Sequence, residues 1–427
     1  MLNSTLARLG AVLLFGSALI AGCGNSSSGS AQVRVVNATV SVPSIDVFSD
    51  DVAVVKNVAV NTASAYAGAS EGSHTIKVAA SGTLTALNSS SASIAKDNIY
   101  TLVAWGRAAA VQTFYLTDAE TAPATGNAKV RLLNTAVDAG ALDLYLTTDS
   151  ASLADATPVA SGIAVGRIGV YNELGAGTYR LRVTGAGSKT DLRLDLPNYT
   201  LAAQDIATLI LQPSQSGVLV HGLSVLQKST VTAYANTLAR ARLIASVAGN
   251  GTVTADLGGT SLAVGLPSPG IGSYVLVPSG SPALSVTVNG TAVAAAPTSL
   301  AAGADYTIMA YGAAAAPQLS VIYDENRLPT SSTGARMRLI NGLHDQGTLT
   351  LAMDFSAVAN NVAIGAASDF TAVNSNSSSR LDVTSGLTGD VVFTTGVTNV
   401  NIQGLSVYTV LVLDGAAKPS GVLRKER

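Results

Sequence analysis

The chain has 427 residues, with 24 Lys and Arg against 26 Asp and Glu, a net charge of −2, and 12% charged residues beside a hydrophobic share of 48%. That balance leaves no basic field for nucleic acid and supplies too much apolar surface for a charge-rich disordered chain. One cysteine and 5% aromatic residues exclude a disulfide scaffold, so small aliphatic side chains must build the cores, in units of about a hundred residues.

Residues 1–22 read as a signal peptide. Arg8 is the only charge before position 34. Leu9 to Ile20 form an apolar run of about twelve residues, shorter than the roughly 20 that span a bilayer and suited to export. Leu19-Ile20-Ala21-Gly22-Cys23 resembles a bacterial lipobox, which implies cleavage before Cys23 and lipid attachment, including palmitate, at that residue. The competing reading is a cysteine without such a role in an ordinary signal peptide. Two or more acyl chains give stable membrane anchoring. Residues 23–30 follow as an acylated Gly/Ser tether with an r.m.s. reach of roughly 15 Å. Gly24, rather than Asp, resembles the sorting pattern of Gram-negative outer-membrane lipoproteins, so the expected place is the bacterial outer membrane, on its periplasmic or cell-surface face. Removing Arg8 with the leader would move the net charge from −2 to −3. No later run approaches ~18 apolar residues, so no second membrane span is expected.

From residue 31 the chain repeats. Val33-Arg34-Val35-Val36-Asn37, Val130-Arg131-Leu132-Leu133-Asn134, Ala241-Arg242-Leu243-Ile244-Ala245 and Met337-Arg338-Leu339-Ile340-Asn341 open four units, with the arginines 97, 111 and 96 residues apart. A second recurrence closes each unit: Tyr100-Thr101-Leu102-Val103, Ala207-Thr208-Leu209-Ile210, Tyr306-Thr307-Ile308-Met309 and Tyr408-Thr409-Val410-Leu411. All are β-branched or aromatic runs of strand type. Pro123 to Gly126 and Pro329 to Gly334 mark joints, so the predicted domains are 31–126, 127–236, 237–334 and 335–427. Short strands with turns about every 8–12 residues predict an all-β chain of tandem immunoglobulin-like β-sandwich domains, roughly six to eight strands each.

These residues resemble the bacterial domain-of-unknown-function family numbered 4397, whose units combine a Val-Arg-Val-x-Asn strand, a Val-Asp-Val-Tyr-like strand and a Gly-Thr-Tyr-x-Leu-x-Val strand. The first unit supplies Val33 to Asn37, Ile45-Asp46-Val47-Phe48 and Gly72 to Val78; the second supplies Val130 to Asn134, Leu142-Asp143-Leu144-Tyr145 and Gly177 to Val183. The resemblance covers most of residues 31–230. Units three and four depart from it, with Thr254 and Thr350 where the first two carry Asp46 and Asp143. It implies an exported, often lipid-anchored β-domain and supplies no catalytic residues.

Chemistry-bearing residues are sparse. His74, His221 and His344 fall in three different units, so a shared metal or hydrolase site would need convergence across joints, and no metal site is expected. Asp46, Asp50 and Asp51 form an acidic group without calcium-loop spacing, and a turn of solvated aspartates is the reading taken. Gly68-Ala69-Ser70-Glu71-Gly72 fits a nucleophile-elbow pattern, but a strand rather than a helix follows it. Tyr100, Trp105, Phe114 and Tyr115, like Tyr306, Tyr311 and Tyr323, are read as core or inter-domain packing in preference to a sugar-stacking platform. Arg34 and Arg131 are expected to pair with Asp46 and Asp143 in their own domains.

The function expected is a non-enzymatic cell-envelope lipoprotein with a structural or adhesion and binding role. The alternative is a carbohydrate-binding or polysaccharide-handling outer-membrane protein. No cofactor and no nucleic acid is expected; the partners are the membrane, through the acyl chains, and an envelope protein or polysaccharide.

Overall fold

The computed structural model describes residues 30–396, 399–415 and 418–427. Cys23, the lipobox residues Leu19, Ile20, Ala21 and Gly22, and the signal peptide lie outside the described residues. The described chain is all-β, its one helical turn being Ala108–Ala110, and none of its helices is long and apolar enough to cross a membrane.

In the first sandwich one sheet orders Ala67–Ala69, Ala31–Val40, Ile99–Arg107 and Gln112–Thr117, and the other orders Val52–Ala59, Ser44–Ser49, Gly72–Ala80 and Ala86–Ile94. The two-sheet plan recurs three times, opened by Asn127–Asn134, Leu238–Ala248 and Gly334–Gly342. These later sandwiches carry nine or ten strands rather than six to eight. One reason is that an edge strand breaks in two, as when Arg167–Ile168 and Asn172–Gly175 both pair with Asn127–Asn134. Each sandwich encloses its own aliphatic core.

The two recurrences seen in the sequence are neighbours in space. Ala31–Val40 runs parallel to Ile99–Arg107 with Arg34 opposite Thr101. The same register sets Arg131 opposite Thr208, Arg242 opposite Thr307 and Arg338 opposite Thr409. Strands Ile206–Pro213 and Ser406–Leu413 are buried along their whole length. Central parallel strands covered on both faces read as continuous apolar runs rather than alternating ones. Here one face fills the strand's own sandwich, and the other meets the preceding sandwich.

The remaining motif positions hold backbone together. Asn37, Asn134 and Asn341 are fully buried, and their amides donate to carbonyls of neighbouring segments, at 2.9 Å to Val58, 2.8 Å to Ile163 and 2.9 Å to Val362. The third unit has Ala245 at this place. There the Ser268 hydroxyl, buried nearby, accepts from the Val247 amide at 2.7 Å.

Candidate functional site

Strand alternation places Val35 and Leu102 inside the first sandwich and Arg34, Val36, Ala38, Thr101, Val103 and Trp105 on the outer face of the same sheet. That outer face packs on the corresponding face of the second sandwich through Leu133, Ile210, Leu223 and Val225. Ile244 and Met309 of the third meet Ile340, Leu411 and Leu413 of the fourth in the same way. Gly342 lets the third and fourth approach closely, for a Cβ there would stand 2.5 Å from the Ser246 hydroxyl. The four sandwiches thus form two face-to-face pairs.

Each seam contains the recurrent arginine. Its Nε donates to the opposed threonine: Arg34 to Thr101 at 2.9 Å, Arg131 to Thr208 at 3.0 Å, Arg242 to Thr307 at 2.9 Å and Arg338 to Thr409 at 3.2 Å. Each guanidinium also covers an aromatic ring, Tyr66, Tyr171, Tyr274 or Phe370, at 4.1–5.1 Å from the ring centre. In three of the four the outer nitrogens then cross the seam. Arg34 donates to the carbonyls of Leu226 and Ser229 in the second sandwich, the former at 2.7 Å. Arg242 holds Glu426 at the end of the fourth with bonds of 2.9 and 2.8 Å. Arg338 reaches back to Asp324 at the end of the third.

The expected Arg34–Asp46 and Arg131–Asp143 pairs do not form. Ile45 and Val47 point into the first core, as do Leu142 and Leu144 in the second. Asp46 and Asp143 therefore face outward from one sheet while Arg34 and Arg131 face outward from the other, on opposite sides of the sandwich. Asp46 instead accepts from the Asn57 amide at 2.8 Å and Asp143 from Gly162 at 2.7 Å. Thr254 and Thr350 do the same for Gly265 and Asn361, at 2.9 and 3.4 Å. All four donors have positive φ, between 52° and 64°. What this position requires is an oxygen acceptor for a left-handed bulge, and Thr satisfies that as Asp does.

The partners that sequence reading missed are Asp118 and Asp324. Asp118 accepts from Thr101 at 2.7 Å and Tyr66 at 2.6 Å; Asp324 accepts from Thr307 at 2.6 Å and Tyr274 at 2.7 Å. Burial and the Asp118 carboxylate push the Tyr66 hydroxyl up to about 12. A signal existed, since each aspartate follows its threonine by seventeen residues.

The histidines remain separate. His74 Nδ1 lies 2.7 Å from Asp50, and its Nε2 lies 3.0 Å from the backbone carbonyl of Ser70, not from its hydroxyl. Asp51 pairs with Lys77 at 2.6 Å. His344 Nδ1 is 3.0 Å from both oxygens of Asp414, and with Asp345 they bring three donor atoms within 4.8 Å of one another. That is one fewer than a closed tetrahedral zinc set, and burial raises the Asp414 pKa, against the carboxylate form.

His221 accepts from the Asn236 amide at 2.9 Å through Nδ1, and burial lowers its pKa from the usual 6.5. The unfolded chain therefore takes up a proton first, so stability is complete above about pH 6.5 and declines as pH falls toward the depressed native pKa. Replacing His221 with Gln is expected to flatten that part of the stability profile relative to the wild type, as followed by urea unfolding across the acid range.

Trp105 is 4% exposed and packs in the first seam; Tyr100 and Tyr306 are also buried, whereas Tyr323, expected in core or inter-domain packing, is 42% exposed with its ring edge-on to Tyr306. Tyr311 packs in the second seam, where a Cβ on Gly365 would collide with its ring.

The two pairs meet around Asp138, whose side chain is fully buried. Its carboxylate takes Arg107 from the first sandwich and the Leu328 amide, at 2.8 Å, from the segment after the third; its carbonyl takes Arg427 from the end of the fourth. Beside this junction a cleft of about 410 Å³ is lined by Arg107, Glu325, Arg327, Arg336, Pro329 and Phe370 among others, and an adjoining one of about 280 Å³ by Arg107, Asp138 and Leu328. Glu325 is shared between Arg327 and Arg336. Burial, and then the neighbouring charges of Arg107 and Arg336, hold the Arg327 guanidinium below its ordinary pKa; Arg336 is lowered by burial and Arg107.

The profile of the family described as Domain of unknown function (DUF4397) matches residues 31–145 and 239–352. Each match opens with the first or third sandwich and runs into the next, so the third unit, set apart by Thr254, falls within it. No curated protein matches the chain. Among solved structures it is similar to the Bacillus anthracis TIE protein at 9% identity and a TM-score of 0.14, covering 66% of this chain and 50% of that one. It is also similar, at 11% identity and a TM-score of 0.16, to the product complex of a multi-modular glycogen-degrading pneumococcal virulence factor, SpuA, covering 86% of this chain and 37% of that one. The chain spans half or less of either protein, and such loose overlap has no bearing on function.

Proposed function

The chain belongs to the DUF4397 family, and from that membership we propose that it is a non-enzymatic, structural or binding element of the bacterial cell envelope, held at the outer membrane by acyl chains on Cys23. The observation that carries this reading is the fate of the recurrent arginines. In all four copies the arginine stands on the sheet face that forms a seam, and in three of them it bonds to the facing sandwich, so the most chemically capable repeated side chain serves assembly. Two interlocked pairs on a short tether make a body that carries loops away from a membrane. His74, His221 and His344, each held by separate partners, lend no support to a shared catalytic centre. The carbohydrate-binding alternative needs exposed aromatic rows; Trp105, Tyr100 and Tyr306 are buried, and the exposed Tyr323 and Phe355 stand on different sandwiches.

Intact-mass measurement of the membrane-fraction protein beside a Cys23→Ala variant tests the anchor. The wild type is expected to carry acyl mass on Cys23, and the variant to lack it and to leave the membrane fraction. A soluble, unmodified wild-type protein would overturn the proposal, and protease treatment of whole cells distinguishes the two membrane faces.

A further inference from the structure

Among the described residues, buried arginines generally have Nε bonded: to threonine in the four seams, to Asp305 from Arg240 at 2.8 Å, and to Asp191 from Arg193 at 2.7 Å. Arg107 and Arg327 depart from this pattern, for each leaves a buried Nε without a hydrogen-bond partner, and outside the cleft at the junction only Arg182 does likewise. Orphaned buried donors of this kind call for an explanation. Arg107 and Arg327 share that cleft with Arg336, so three guanidinium groups face two carboxylates, Glu325 and Asp138, across the adjoining spaces. The arginine side chains are 16%, 31% and 18% exposed, which leaves them reachable from solvent while partly shielded from it. Burial, and after it the mutual repulsion of these groups, lowers the pKa values of Arg327 and Arg336.

A guanidinium presents a planar fork of donors that fits carboxylate and phosphate groups, and the bond strengthens where water is partly excluded. The cleft also has an apolar wall. Phe370 lies under Arg336 at 4.8 Å, which orients that guanidinium, and Pro329 and Ala335 stand nearby.

We propose that this cleft binds a small oxyanion, a carboxylate or phosphate group, held by Arg107, Arg327 and Arg336 where the first, third and fourth sandwiches meet. The bound group offers acceptors to the three guanidinium groups where they border the cleft and lowers the repulsion among the three cations. Because those cations come from three parts of the chain, its binding also fastens the two pairs together. None of this depends on the membrane anchor proposed above.

Calorimetric titration of the full chain in detergent, with inorganic phosphate, D-glucuronate and D-glucose as separate probes, tests the site. Single-site binding of phosphate or glucuronate is expected, with none of glucose. An Arg327→Gln variant should bind at least tenfold more weakly, and an Arg180→Gln variant, altered at its part-buried pair with Asp195 in the second sandwich, should be unchanged. Phosphate alone would identify a free inorganic ligand; glucuronate alone would identify a carboxylate borne on an organic body. Absence of binding by both anions, equal binding of glucose, or unaltered affinity in Arg327→Gln overturns the proposal. Should Arg327→Gln fail to fold, arginine modification of the wild-type chain by phenylglyoxal, read by peptide mass, replaces it. Slower modification of Arg107, Arg327 and Arg336 in the presence of either anion, with Arg180 unaffected, supports the site, and equal rates with and without both anions overturn it.

Discussion

Replacing Asp324 with Ala is expected to destabilise the third and fourth sandwiches by about 3–5 kcal/mol, because it leaves buried guanidinium groups without their counter-charge. Asp324 is fully buried at the end of strand Gln318–Tyr323, and it receives Arg338 from across the seam together with the hydroxyls of Thr307 and Tyr274. Burial by itself would raise its pKa. Arg338, Arg242 and the two hydroxyl donors outweigh that and hold it below the usual 3.8. A carboxylate with a depressed native pKa contributes stability that is complete above its unfolded pKa and is lost as pH falls through the native one. The full effect of the substitution should therefore appear at neutral pH and diminish only below about pH 4. Urea unfolding followed by circular dichroism measures it. Asp324→Asn, which keeps the shape and removes the charge, should lose nearly as much. Pairing Asp324→Leu with Arg338→Met should recover most of the loss, since replacing a whole buried ion pair by apolar groups is often close to neutral. A loss under about 1 kcal/mol for Asp324→Ala would place the pair among exposed ion pairs in energetic terms and refute this account of the seam.

The lone tryptophan gives the second large effect. Trp105→Ala is expected to cost about 3–5 kcal/mol, the range for deleting a large buried aromatic side chain. The cavity would open between the first and second sandwiches rather than within one, since Trp105 packs with Val36, Leu133, Ile210 and Leu223. Gly166, at a φ of +71°, lies against the ring, where even a Cβ would touch it at 3.5 Å. Trp105→Phe should behave differently. Its indole Nε1 is buried with no partner, and an unsatisfied buried donor costs about 1–3 kcal/mol, so removing it offsets part of the lost contact area. A small loss for Phe beside a large one for Ala, in the same unfolding measurement, is the expected pattern. In the wild type, fluorescence from the single tryptophan should report separation of the first pair directly. Equal losses for Phe and Ala would mean that the indole nitrogen is satisfied.

Much of the architecture was legible in the chain, for local reasons. The all-β character follows from β-branched runs and turn residues, and the fourfold repeat from arginines and threonines recurring at domain spacing. The strict alternation of strands even contained the answer to the Arg34–Asp46 question. With Val35, Ile45 and Val47 in one core, Arg34 and Asp46 fall on opposite outer faces of the sandwich. The Asp-to-Thr change at Thr254 and Thr350 already shows in the chain that no acid is required there, but its cause, a shared acceptor for a left-handed bulge, needs the register of Asn57, Gly162, Gly265 and Asn361.

The strand pattern and the order of the repeats are written in the chain, because each motif depends on residues within one or two strands of each other. Tertiary structure alone decided that Arg242 would meet Glu426, 184 residues away, and that Arg107 would meet Asp138 beside Arg327 and Arg336. The physical reason is that a guanidinium on an outer sheet face is equally compatible with water and with a partner. Only the packing of that face against another sandwich removes the water and selects the oxygen that replaces it.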